Sequence, residues 1–269
     1  DNLTNDSGSN GRGLPNYLDG IAINPTNQKA WAVGKKDNIL RGLKKDGNAL
    51  IFENTVRNAI APLNLTTNTE EVARRIDIDD HSQPSSVVYS PLGSHLFVTF
   101  QGNNRLIVLD AATGKEIARQ DVGLAPQGVA IDPTTKKVFV NNFMDRSVTI
   151  FNASPMLTQG SATLTKISTL STVTTELLTP QVLKGKQVFY NAADIRMSQD
   201  GYMSCAVCHN DGSQDGRTWD FTDRGEGLRN TTALRGRAGN GQGRVHWSAN
   251  FDEIQDFEHD IREACKGQG

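Results

Sequence analysis

Along the first two thirds of the chain, apolar residues come in short runs that break at turn-forming positions. Gly20-Ile21-Ala22-Ile23 runs into Asn24-Pro25-Thr26, Ser86-Val87-Val88-Tyr89 into Ser90-Pro91, and Gly128-Val129-Ala130-Ile131 into Asp132-Pro133-Thr134. Each predicts a strand ending in a turn, because β-branched residues fit a pleated surface while Asn, Asp, Ser and Pro fit turn geometry. A second run follows each turn, at residues 30–33, 96–99 and 138–140, and a third follows at 105–110 and 147–151. The copies lie 42 residues apart from Pro91 to Pro133 and 66 apart from Pro25 to Pro91, the longer interval reading as a blade with an insertion. A period of about 40 to 45 residues with several strands per unit is that of a β-propeller blade. An unrelated sandwich with similar hairpins is the competing reading.

Residues 15 to about 175 hold three clear blades and at most four. A fan of strands keeps open edges until its ring closes, which takes about 4 to 8 blades. The sequence therefore predicts an incomplete propeller over 15–175 after an N-terminal tail over 1–14, completed by a further chain or by blades this chain lacks. A complete four-bladed ring is the alternative. Residues 166–173 carry β-branched positions in loose alternation and predict a last outer strand. Thr179 as N-cap and Pro180 at the first helical position predict a helix bearing Val182, Leu183, Val188 and Phe189.

That helix leads to Cys205-Ala206-Val207-Cys208-His209. The pattern C-x-x-C-H is that of covalent c-type haem attachment, in which two thiols add to the two vinyl groups and the next residue places an imidazole on iron. With 5 His in 269 residues, a His follows a given C-x-x-C by chance about once in fifty cases. The motif thus predicts one covalent haem c on Cys205 and Cys208 with His209 as metal ligand. A thioredoxin-like pair should open a helix in a βαβ unit, and a structural zinc site needs a second ligand pair; the flanking sequence offers neither. Cys265 is left over as a free thiol or an intermolecular bridge. Met197 and Met203 stand too close to the motif to be attractive axial ligands.

Composition narrows the partners. The formal net charge is −2 with a pI near 6.2, which gives no field for nucleic acid or anionic lipid. No apolar run reaches the roughly 18 residues a membrane helix needs. The first residues, Asp1-Asn2-Leu3-Thr4, carry neither Met nor a charged leader, which reads as a processed chain or a fragment.

After the motif, Arg217, Arg224, Arg229, Arg235, Arg237 and Arg244 fall in a stretch without Lys. A guanidinium pairs bidentately with a haem propionate, and Arg229, on a turn beside Leu228, is the candidate; a solvated loop is the plain reading for any one of them. Phe251, Ile254, Phe257 and Ile261 predict an amphipathic helix over 251–262. At about 100° per residue, Glu258 lies roughly 45° from its apolar stripe and His259 roughly 145° away. Glu258 can then look inward as a distal proton donor or acceptor, with His246, beside Trp247, as the other candidate. A solvated Glu258 and a structural His246 are the alternatives.

These residues carry a resemblance. The stretches Leu183-Lys184-Gly185-Lys186-Gln187-Val188-Phe189-Tyr190, Cys205-Ala206-Val207-Cys208-His209-Asn210-Asp211-Gly212, Asp215-Gly216-Arg217-Thr218-Trp219-Asp220, Gly225-Glu226-Gly227-Leu228-Arg229-Asn230-Thr231, and His246-Trp247-Ser248-Ala249-Asn250-Phe251-Asp252-Glu253 with Gln255-Asp256-Phe257-Glu258 resemble the first haem domain of a bacterial family that joins YVTN-type propeller repeats to a di-haem cytochrome c peroxidase-like region. The repeat segments Val122-Gly123-Leu124-Ala125-Pro126-Gln127-Gly128 and Asn141-Asn142-Phe143-Met144-Asp145-Arg146-Ser147-Val148 look similar to the same family. The resemblance implies a periplasmic or extracellular haem oxidoreductase, with Cys205, Cys208 and His209 at the matching positions and Glu258 a loose match to the distal acid. Its members carry a second C-x-x-C-H, which this sequence does not contain. A redox partner or second haem domain, on another chain or in a longer protein, is therefore expected.

The fold class expected is β-propeller blades, mainly antiparallel β, followed over 176–269 by a mainly α, loop-rich c-type cytochrome domain. Two functions stay open: a peroxidase-like oxidoreductase with Glu258 or His246 assisting O–O cleavage, and an electron-transfer cytochrome with the propeller as docking scaffold. A propeller binding module with a structural haem is a third.

Overall fold

The structure is a computed structural model and describes residues 12–38, 55–222, 225–236, 244–263 and 265–269. Three four-stranded antiparallel meanders follow one another along the chain. Blade 1 comprises β1 (Leu14–Ile23), β2 (Lys29–Asp37), β3 (Val56–Asn64) and β4 (Thr69–Glu70). Blade 2 comprises β5 (Pro84–Tyr89), β6 (His95–Phe100), β7 (Arg105–Asp110) and β8 (Glu116–Asp121). Blade 3 comprises β9 (Pro126–Ile131), β10 (Lys137–Asn142), β11 (Ser147–Asn152) and β12 (Thr165–Ser171), with helix α1 (Ser154–Gln159) before its last strand. The first strands of successive blades, β1, β5 and β9, lie side by side. Sequential four-strand meanders packed through their first strands are β-propeller blades. The extra residues between the first two repeats fall in the connection 38–55 between β2 and β3, most of which lies outside the described residues.

The repeated turn motif has a physical reading. In blade 1 the Asn24 side chain accepts from Thr26 N at 2.9 Å, and in blade 3 Asp132 accepts from Thr134 N at 2.8 Å. Ser90 fills the same position in blade 2, where its hydroxyl accepts from Ser94 N and His95 N at 3.1 and 3.0 Å. One short polar side chain per blade therefore closes the hairpin between the first and second strands.

Blade 2 lies in the middle and is buried on both faces. Val98, Phe100, Ile107 and Leu109 face blade 1, where they pack with Trp31, Val33 and Ile60. The alternate residues Phe97, Leu106 and Val108 face blade 3 and pack with Val138, Val140 and Phe151. A strand with both faces covered reads as a continuous apolar run, as in His95–Phe100 and Arg105–Asp110. Each of these large side chains contributes about 1.5–3 kcal/mol by leaving water.

The remainder of the chain corrects the expected fold class. Residues 176–269 do not form a mainly α cytochrome domain. Their helices are α2 (Pro180–Tyr190), the single turn α3 (Cys205–His209) and α4 (Phe257–Glu263), joined by loops and the hairpin of β13 (Thr218–Phe221) and β14 (Gly227–Asn230). Its apolar clusters are shared with the blades. Tyr202, Met203, Val207, Cys208 and Trp219 pack with Val56 of blade 1, while Tyr190 and Ala206 pack with Ala125 and Met144 of blade 3. The cause is compositional: Asp-Gly and Gly-rich turns interrupt the segment before an amphipathic helix can lengthen. The Thr179 cap forms, its hydroxyl accepting from Val182 N at 3.4 Å. The helix expected over 251–262 shortens to α4 after a 3₁₀ turn at Ile254–Asp256, and Ile254 is left 69% exposed.

Candidate functional site around Cys205, Cys208 and His209

On α3, Cys205 and Cys208 stand three apart and so share a face, and His209 is the next residue. Cys208 is buried while Cys205 as a residue is exposed. Burial pushes the Cys208 thiol up to about 12, with Lys35 and Arg217 opposing and Asp215 and Asp37 adding. The Cys205 thiol, despite the residue's exposure, is desolvated by its neighbours and lies above its ordinary value. His209 is half-buried, and burial lowers its pKa against the pull of the Ser213 and Thr232 carbonyls. Its Nδ1 lies 3.4 Å from the Ser213 carbonyl. A proton on Nδ1 suits that contact and leaves the Nε2 lone pair for a metal.

The donor set is that of a c-type haem: two thiols on one face of α3 and an adjacent imidazole. Among the described residues no group of three or more His, Cys, Asp or Glu is placed to hold a metal ion.

The propeller rim holds α3 in place. Gln83 donates to the Ala206 carbonyl and Gln101 to Asn210 Oδ1, both at 3.4 Å, and Asn103 donates to the Gly201 carbonyl at 2.9 Å. Tyr190 on α2 donates to Asp211 at 2.7 Å. Below Cys208 sits a buried quartet of charges. Lys35 pairs with Asp215 and, at 3.2 Å, with Asp37; Arg217 donates to Asp37 at 3.2 Å and to the Thr55 and Asn38 carbonyls at 3.0 Å. Each of these four side chains is at most 2% exposed. The Arg217 guanidinium lies 3.8 Å over the Trp219 ring. A second set joins the buried Arg57 to the buried Asp77 at 2.6 Å and to the half-exposed Asp79 at 2.9 Å, with Arg57 over the Tyr202 ring at 4.5 Å and the Tyr202 hydroxyl donating to Asp79. Sequence reasoning passed over Lys35, Asp215 and Tyr202. Its one available signal was the polar run Lys35-Lys36-Asp37, which breaks the apolar pattern of β2.

A cavity of about 490 Å³ lies beside the quartet, lined by Leu14, Pro15, Asn16, Asp37 and residues 215–218, and by none of the motif residues.

The remaining sequence candidates lie farther out. Arg229 on β14 stands opposite Trp219 and donates to the Leu228 carbonyl at 2.9 Å and to Ser248 at 3.4 Å. His246 makes a 3.0 Å contact to Asn250 and lies 3.3 Å from Glu226. Rings connect it to the motif's packing: Trp219 stacks on Phe221 at 6.1 Å, and Phe221 lies 6.4 Å from His246. Glu258 is exposed, and Arg262 donates to its carboxylate at 2.8 and 2.7 Å. Its side-chain partner is Arg262, on the same helix, and not a residue of the motif. Arg224 and Arg237 lie outside the described residues.

No protein-family model matches the chain, and no curated protein is significantly similar to it. Among solved structures it is similar to part of Kuenenia stuttgartiensis hydrazine synthase, at 15% identity over 50% of this chain and 45% of that one, with a TM-score of 0.44. It is also similar to U3-55K, at 12% identity over 60% and 41% with a TM-score of 0.41. A third is the β-propeller domain of Myceliophteria thermophila Cps50 (Swd1), at 15% identity over 60% of each chain with a TM-score of 0.37. The chain spans less than half the length of the first two. From its own topology, the chain is built on β-propeller blades.

Proposed function

We propose that this is an exported c-type haem protein that passes electrons within a larger redox assembly, with one haem on Cys205 and Cys208 and His209 as axial ligand. The observation that carries the reading is α3, where two thiols share a face and the adjacent imidazole has its Nδ1 at a carbonyl. The haem would supply the iron redox couple. Within the chain, Cys205 and Cys208 anchor the group, Ser213 holds the tautomer of His209, and Tyr202, Met203, Val207 and Trp219 keep water from the Cys208 side. The buried quartet fixes the loop after the motif to blade 1, so the axial ligand is held by the propeller and not by a separate domain. Thioether formation belongs outside the cytoplasm, which supports a periplasmic or extracellular setting.

The blades serve in this reading as a docking scaffold. Ile21 and Ile23 on β1 are 60% and 65% exposed, as suits a strand that meets further blades of a longer protein or of another chain. A second haem-bearing region, which the family resemblance leads one to expect, would be the redox partner. The peroxidase-like reading is the runner-up, favoured by the ring contacts that link His246 to Trp219. Electron transfer is preferred because the Glu258 carboxylate is engaged by Arg262 at the surface. The spectrum of the matured ferric protein separates the two: a low-spin haem is expected, and a high-spin haem that turns over peroxide would favour the runner-up.

A further inference from the structure

The hydroxyl of Tyr202 has a setting that the haem reading does not use. The residue is 1% exposed, and its ring packs with Met203, Val207, Cys208 and Trp219, against the turn that carries the motif. Its hydroxyl donates to Asp79 at 2.5 Å and accepts from Asp80 N at 2.8 Å, so donor and acceptor roles are both fixed. Burial alone would raise the Asp79 carboxyl, but the hydrogen bonds of Tyr202 and Arg57 outweigh it and hold it below its ordinary value. The Asp79 side chain is 49% exposed, and a proton arriving there can pass on to water. The Arg57 guanidinium lies 4.5 Å over the Tyr202 ring and disfavours a positive charge on it. An electron therefore leaves this ring together with the hydroxyl proton, and the carboxylate that takes the proton is already in place. Trp219, in the same cluster, is set otherwise. Its Nε1 donates to the Thr231 hydroxyl at 2.9 Å, a far weaker base, and the Arg217 guanidinium lies 3.8 Å over its ring.

We propose that Tyr202 is a redox-active residue, which yields one electron to a strong one-electron oxidant while its hydroxyl proton passes to Asp79. The O–H bond of the phenol breaks and an O–H bond forms on the Asp79 carboxylate. The oxidant gains the electron, and a neutral phenoxyl radical stays on Tyr202, shielded from water by Met203, Val207 and Trp219. A reductant later returns the electron, and Asp79 the proton. This first step rests on the chain alone. In a second step, which rests on the haem reading, the oxidant is the haem at Cys208 after peroxide has drawn electrons from it. Tyr202 restores one of them and spares the group from bleaching.

The test oxidises the haem-free full chain with flash-generated tris(bipyridine)ruthenium(III), freezes it and reads the radical by electron paramagnetic resonance. The expected signal is a neutral phenoxyl radical that Tyr202→Phe removes and Tyr190→Phe leaves in place. Asp79→Asn keeps the ring but removes the proton acceptor, and should lower the radical yield. Tyr202→3-fluorotyrosine keeps the shape of the side chain and should add a fluorine splitting to the signal. A radical on Trp219 or Tyr190 in place of Tyr202, a yield that Asp79→Asn leaves unchanged, or a signal without the fluorine splitting overturns the proposal. The matured protein is then treated with hydrogen peroxide, and its haem should bleach faster in Tyr202→Phe than in wild type. Equal bleaching overturns the second step. A Tyr202 radical in a chain that never takes haem leaves the tyrosine chemistry standing and removes the haem reading instead.

Discussion

Lys35 on β2 and Asp215 in the loop after Cys205–His209 form an ion pair from which water is excluded, their side chains 2% and 0% exposed. They are 180 residues apart in sequence, and their contact joins blade 1 to the segment that carries Cys208. Each charge alone would be costly at this depth; Asp37 and Arg217 complete the balance.

Removing one partner should therefore cost more than removing both. Lys35→Met leaves Asp215 buried without its cation and is expected to destabilise the fold by about 3–5 kcal/mol. The double variant Lys35→Met with Asp215→Leu should regain most of that loss. Urea unfolding of the three proteins checks the order.

The same pair sets a pH dependence. Burial alone would raise the Asp215 carboxyl, but the charge and hydrogen bond of Lys35, with Thr231 and the Arg217 N–H, outweigh it and hold it below the ordinary value. A carboxyl lowered on folding stabilises above its unfolded pKa, about 3.9, and loses that contribution as pH falls through the folded value. Unfolding free energy followed from pH 7 downward should show the gap between wild type and Asp215→Asn constant to about pH 4 and shrinking below it.

How much of this was legible in the sequence follows from what each pattern records. The blades could be read because alternation and turn residues are local: the side chains of Asn24, Ser90 and Asp132 act on backbone a few residues away. The C-x-x-C-H spacing is local too, and its five residues form one helical turn. The α-rich domain was misread because Tyr202 and Trp219 bury themselves against Val56, more than 140 residues upstream, a contact that no local period encodes. Lys35 and Asp215 escaped for the same reason, since a buried ion pair between distant segments leaves only two polar residues in the sequence.

The central blade should be the least tolerant of truncation. Leu106 and Leu109 are fully buried on opposite faces of β7, and Leu→Ala at either should cost about 2–5 kcal/mol. Ile21→Ser, at an exposed position of β1, should change stability by under about 0.5 kcal/mol in the isolated chain. Denaturant midpoints decide it.

Glu258→Gln removes an exposed i,i+4 pair with Arg262, so stability should change by no more than about 0.5 kcal/mol. On the electron-transfer reading the spin state of the matured haem also stays as in wild type. A low-spin to high-spin change, or loss of peroxide turnover, would instead place Glu258 at the iron.

The central claim is covalent haem at Cys205 and Cys208. Its direct test is expression with export and the c-type maturation apparatus, acid–acetone extraction, and mass analysis of the peptide bearing residues 205–209. The colour is expected to stay with the protein and that peptide to gain the mass of one haem, while Cys205→Ala with Cys208→Ala yields a colourless chain and His209→Ala keeps the covalent haem with a changed visible spectrum. Colour that extracts fully into acetone, with both thiols recovered unmodified, would contradict the account.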